Sequence, residues 1–122
     1  MDDKIINSAQ ALLHKHFAIP GCQNTILGYT LTYDVVCEPF VQILHNGQDH
    51  WLAVSNIGLQ SSYINVYDSM YSTLSSQAKD QICALLHTNQ KAIHVQFFDV
   101  DRQENAYDCG LYAIAYATSL CH

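Results

Sequence analysis

Cys109 lies in Asp108-Cys109-Gly110, where the polar stretch from Arg102 to Asp108 gives way to the apolar run Leu111-Tyr112-Ala113-Ile114-Ala115-Tyr116-Ala117. This change of patterning predicts a loop-to-helix junction with the thiol in the first helical turn. That turn leaves backbone N–H groups unpaired and carries a partial positive charge. A thiol placed there has its thiolate stabilised, and the thiolate is the nucleophile. Gln103, six residues earlier, has a side-chain amide able to donate to the oxyanion that forms when sulfur attacks a carbonyl. The base such chemistry needs is supplied by His50, which stands beside Trp51 at the head of an apolar stretch. Asp68, at the end of Tyr63-Ile64-Asn65-Val66-Tyr67, can orient the imidazole and support it when protonated. Nucleophile, base, orienting carboxylate and oxyanion donor are thus all supplied, and the set reads as that of a cysteine peptidase.

Each residue alone has an ordinary explanation. Cysteine is among the most frequently buried residue types. A histidine beside a turn is usually a surface residue, Asp68 suits a turn or cap by type, and a glutamine in a polar loop is normally solvated. The combination is more specific, because it requires strand ends and a helix terminus to meet at one rim. Asp99 and Asp101 rank behind Asp68 as orienter, since they precede Gln103 in a loop on the oxyanion side. A zinc site from His45, His50 and Cys109 is less favoured because the spacing matches no recognised ligand pattern.

The elements that must position these groups can be read from periodicity. Ile5, Ile6, Ala9, Leu12, Leu13 and Phe17 follow helical spacing, closed by Pro20-Gly21. The stretch from Thr25 to Cys37 is ambiguous, β-branched and aromatic but broken by Gly28. Phe40 to Leu44 reads as a strand followed by Asn46-Gly47, a hairpin-turn signal. Trp51 to Ile57 and Tyr63 to Tyr67 continue a meander that sets His50 and Asp68 near adjacent strand ends. Ala78, Ile82, Leu85 and Leu86 predict a second amphipathic helix with Ser75 or Ser76 as N-cap. Ala92 to Phe98 predicts a last strand. The helix from Cys109 to about Leu120 is apolar on nearly every side, which predicts that it is the buried one. Three or four strands with three helices in segregated order give an α+β class, a small mixed or antiparallel sheet packed on a buried C-terminal helix.

Composition bounds the rest. The 122 residues suffice for one domain over 1–122 with a core needing neither disulfide nor metal. Asp2 and Asp3 stand where a signal peptide carries positive charge, and no apolar stretch reaches membrane-spanning length. Five cysteines cannot all pair and show no C-x-x-C spacing, which favours a reducing cytoplasm or nucleus. Cys22, Cys37, Cys83 and Cys121 are expected to be buried or half-buried thiols. A net charge of −6 leaves no basic patch for phosphates and argues against a nucleic-acid partner. No cofactor, metal or membrane partner is expected, and a monomer is.

His50-Trp51, Tyr67-Asp68-Ser69, Gln103 and Asp108-Cys109-Gly110, in that order, resemble the signature of the ubiquitin-like-specific proteases, the Ulp/SENP and adenain-like cysteine peptidases. Asp3-Lys4-Ile5-Ile6-Asn7 is similar to the family's opening helix motif. The resemblance implies a papain-like fold with a permuted catalytic order, in a domain shorter at its N-terminus than is usual for the family. It implies hydrolysis of a peptide or isopeptide bond after the diglycine C-terminus of a modifier of SUMO, NEDD8 or ubiquitin type. His50, Asp68, Gln103 and Cys109 carry the family's catalytic roles, and Trp51 its substrate-binding role. Acyltransferases of the same clan share the His–acid–Cys machinery, and a modifier-binding module without turnover would keep the fold. The complete set of four, with Trp51, favours the protease.

Overall fold

The segments Val41–His45, Trp51–Ser55 and Tyr63–Tyr67 are apolar at consecutive positions, and because successive side chains of a strand point opposite ways they cover both faces of one sheet. The computed structural model describes residues 3–36, 39–59, 63–86, 93–100, 102–103 and 108–122. Its elements are α1 (Asp3–Phe17), α2 (Ile26–Tyr29), β1 (Val41–His45), β2 (Trp51–Ser55), β3 (Tyr63–Tyr67), α3 (Ser76–Leu86), β4 (His94–Phe97) and α4 (Cys109–Cys121). The strands lie in the order β1-β2-β3-β4, with the first three antiparallel and β4 parallel to β3. Val41, Ile43, Trp51, Ala53 and Tyr67 face one way and pack with Ile6 and Leu13 of α1 and Cys109, Ala113, Ala117 and Cys121 of α4. Leu44, Leu52, Val54, Ile64 and Val66 face the other way, against Ile82 and Leu85 of α3, with Phe40 and Tyr33 closing that core. The fold is the expected α+β arrangement. No helix among the described residues is long and apolar enough to cross a membrane.

Several expectations are corrected by the packing. Helix α4 is apolar all round but buried only along Cys109, Gly110, Ala113, Ala117 and Cys121, while Leu111 is 55% exposed. The sheet and α1 cover one side of it, and the i, i+4 row of small side chains lets the helix lie close to the strands. In α1 the buried row is Ile6, Gln10 and Leu13, so Ile5 and Leu12 face outward despite their type. The ambiguous stretch from Thr25 to Cys37 contains the short α2, and Cys37 itself lies outside the described residues. The hairpin after β1 is not closed by a two-residue Asn-Gly turn. The register pairs His45 with Trp51, so residues 46–50 form a five-residue loop. Strand β4 is an exposed edge, unlike the more buried β2 and β3; Ala92 lies outside the described residues.

The other edge, β1, is covered. Val41 N–H donates to Pro20 O at 3.1 Å and Cys22 N–H to Val41 O at 2.7 Å. Gly21 makes that approach feasible, with φ of +96° and only 2.1 Å between the position of a Cβ and the Val41 oxygen. Gln10 Oε1, fully buried, takes the Ile43 N–H at 3.0 Å, and Gln81 Nε2 donates to His45 O at 2.8 Å. The edge backbone is therefore satisfied by the backbone of Pro20 and Cys22 and by side chains, which blunts it against further strand pairing.

Candidate active site

His50 and Asp68 meet because of the sheet register. Ala53 pairs with Tyr67, which places the start of β2 beside the end of β3. His50 Nε2 and Asp68 Oδ1 are 2.6 Å apart, and both residues are buried. Asp68 Oδ1 also accepts the backbone N–H groups of Met70 and Tyr71, each at 2.9 Å. Three donors on one oxygen suit an ionised carboxylate, which only accepts. Tyr71 lies edge-on to the His50 ring at 5.0 Å between centroids. His50 is thus not the surface histidine its type suggests singly, while Asp68 both caps the turn that follows it and meets the imidazole. Asp99 is exposed and Asp101 lies outside the described residues.

The loop carrying His50 is shaped by Asn46. Its side-chain oxygen accepts the backbone N–H of Gln48 at 2.9 Å, Asp49 at 3.1 Å and His50 at 3.1 Å, while its own N–H donates to His50 O at 2.9 Å. Ser75 joins this loop to α3, donating from Oγ to Asn46 O at 2.8 Å and accepting Ala78 N–H at 3.1 Å as the helix cap. Neither Asn46 nor Tyr71 stands out in the sequence as a contributor to the site. Asn-Gly reads as a turn, and only the five-residue loop reveals Asn46 as an acceptor for three amides.

Cys109 opens α4 and is buried, in the same core cluster as Trp51. Asp108 at the N-cap makes no side-chain capping bond. Gln103 is half-buried in the segment before the helix; its N–H donates to Ser69 O at 3.0 Å, and its side-chain oxygen accepts from the Ser69 hydroxyl. Residues 104–107, which join Gln103 to the helix, lie outside the described residues. Trp51, the first residue of β2, is buried beneath His45, whose ring lies edge-on to the indole at 4.7 Å and 6.0 Å from that of Tyr29. Burial holds the His45 imidazole below its usual pKa.

The other thiols divide. Cys22 and Cys121 are buried and hydrogen-bonded to each other, and burial, with Cys121 adjacent, pushes the Cys22 thiol up to about 12. Cys83 is exposed on α3, against the expectation of a buried or half-buried thiol, because it turns away from the helix face formed by Ala78, Gln81, Ile82 and Leu85. Among the described residues no group of three His, Cys, Asp or Glu side chains is gathered as a metal would require.

This fold and this order of residues define a class. The catalytic-domain model of the Ulp1 protease family matches residues 34–122, and the chain belongs to that family. The match begins after α1 and α2, but likeness to solved structures extends over 99% of the chain. One is the SUMO protease Ulp1 with its catalytic cysteine oxidised to a sulfinic acid, 18% identical, with a TM-score of 0.69. Another is the C-terminal Ulp1 protease domain in complex with Smt3, the yeast ortholog of SUMO, 17% identical, with a TM-score of 0.67. The chain spans 66% and 65% of the lengths of these two chains. At such identity the likeness establishes the papain-like α+β fold. No curated protein matches the sequence.

Proposed function

We propose that the chain is a cysteine protease that hydrolyses the peptide or isopeptide bond following the diglycine C-terminus of a ubiquitin-like modifier. The observation that carries this reading is the buried His50–Asp68 pair, formed at the end of the strands on which the Cys109 helix packs. Asp68 engages Nε2, so Nδ1 is the nitrogen that exchanges a proton with the thiol. The Cys109 thiolate attacks the carbonyl of the terminal glycine, and the oxyanion takes hydrogen bonds from Gln103 Nε2 and the backbone N–H of Cys109. His50 then protonates the leaving amine, and a thioester remains. Water, deprotonated by His50, hydrolyses it and regenerates the thiol. Trp51, next to His50 in the chain and buried in the core that α4 shares, is the substrate-binding residue in this reading.

Family membership and the Smt3 complex of a structural relative support a modifier of SUMO type as the first candidate partner. The test is a panel of SUMO-, NEDD8- and ubiquitin-type precursors extended beyond diglycine. Processing of at least one at the diglycine, lost on Cys109→Ser, is expected. Retention of every precursor intact while the unaltered chain is folded would overturn the reading.

A further inference from the structure

Ser69 follows Asp68 at the end of β3 and is 1% exposed. Its hydroxyl donates to the side-chain oxygen of Gln103, and its carbonyl accepts the Gln103 N–H at 3.0 Å. One residue before Gln103, Arg102 Nη1 donates to Tyr71 O, two residues past Ser69, at 3.5 Å. The segment before α4 is therefore laid along the segment after β3, and Ser69 is the residue that grips the glutamine by both main chain and side chain. A hydroxyl proton on Oε1 fixes which end of the amide is which, and the NH2 end is turned away from Ser69 as donor.

We infer that Ser69 is a positioning residue of the oxyanion site, holding the Gln103 amide in its donating orientation. This rests on the reading of Gln103 as oxyanion donor. Ser69 touches neither substrate nor sulfur in this role and acts only through Gln103. The dipeptide Asp68-Ser69 then serves both halves of the chemistry, with Asp68 holding the base and Ser69 the oxyanion donor. The two residues stand just past β3, where the chain bends, so one short segment reaches both. Without the hydroxyl the amide can rotate or flip. A donor that must reorganise during the reaction stabilises the transition state less than a preorganised one. The loss should fall on kcat, because the oxyanion exists only after attack.

The test compares the unaltered chain, Ser69→Ala, Gln103→Ala and the double variant on a precursor that the unaltered chain cuts, with thermal midpoints in parallel. Ser69→Ala should lower kcat about 10-fold, as expected for one hydrogen bond, with KM within about twofold. The double variant should match Gln103→Ala, since with the amide gone Ser69 has nothing to position. Ser69→Cys, which keeps a weak donor, should fall between serine and alanine. A normal kcat in Ser69→Ala, with Gln103→Ala slow, overturns the positioning role and leaves Gln103 in place. So does a double variant slower than Gln103→Ala by a further factor of about 10, which marks an independent effect. An unimpaired Gln103→Ala removes the oxyanion reading and this inference with it.

Discussion

The two halves of the candidate site are held in place by different means. On the base side, His50 and Asp68 inherit their 2.6 Å approach from the β2–β3 register, and both are buried with their backbone neighbours engaged. On the nucleophile side, Cys109 rides on a helix that meets the sheet through alanine-sized side chains, and Gln103 hangs from Ser69. A ladder fixes register in whole-residue steps, because slipping by one would turn every side chain to the wrong face. A helix resting on small side chains can be displaced continuously by bulk. The base half should therefore respond to loss of specific acceptors, and the nucleophile half to changes of volume.

The largest effects should come from removing the reactive group on either side. Cys109→Ser and His50→Ala should each lower kcat/KM by roughly 10⁴-fold or more, and combining them should add little, because the parts fail as a unit. Multiplying effects in the double variant would show that the halves act separately. Asp68→Asn should follow, with a loss of roughly 10³–10⁴-fold in kcat from the wrong tautomer and lost support of the imidazolium. A near-normal rate in Asp68→Asn would break the base half as described and send the search to Asp99 or Asp101.

Smaller substitutions sharpen the contrast. Ala113→Leu overfills the contact between α4 and the sheet; about 1–3 kcal/mol of stability should be lost, with a fall in kcat as Cys109 shifts. Asn46→Ala leaves three amides in the His50 loop without their acceptor and should cost about 1–3 kcal/mol, whereas Asn46→Asp, which keeps an acceptor, should be close to the unaltered chain. Chemical unfolding and kcat on the same samples check both. Equal damage from Asn46→Asp and Asn46→Ala would contradict the loop account.

The smallest effect is an alkaline one. Cys22, held near 12 against a usual 9.0, keeps its proton in the folded chain where the unfolded chain loses it. Its contribution is complete below about pH 9 and is withdrawn as pH rises toward about 12. Burial raises the Tyr33 hydroxyl in the same direction. The thermal midpoint should fall more steeply above pH 9 in the unaltered chain than in Cys22→Ala; parallel curves would contradict this.

Much of this arrangement is legible in the sequence because it depends on local patterning. The short β-rich runs bounded by Asn46-Gly47 and Gly58 give the strands, Ser75 ahead of Ala78 gives the start of α3, and the switch to apolar residues after Asp108 gives the start of α4. What is not legible depends on who covers whom. Leu111 and Ile5 are apolar yet exposed because the core is packed against the other side of their helices, and Gln10 is polar yet buried because β1 needs its oxygen. Ser69, quoted only as part of Tyr67-Asp68-Ser69, and Asn46, read only as a turn residue, hide their roles for the same reason: their partners lie 34 and two to four residues away.

The central claim is that Cys109 is the nucleophile of a protease for ubiquitin-like modifiers. A SUMO-type or ubiquitin-type protein carrying a C-terminal electrophile, incubated with the chain and mapped by peptide mass spectrometry, tests it directly. The account predicts one adduct, on Cys109, absent in Cys109→Ser and strongly reduced in His50→Ala. Adducts on the exposed Cys83 with Cys109 unmodified, for every modifier probe tried, would contradict it.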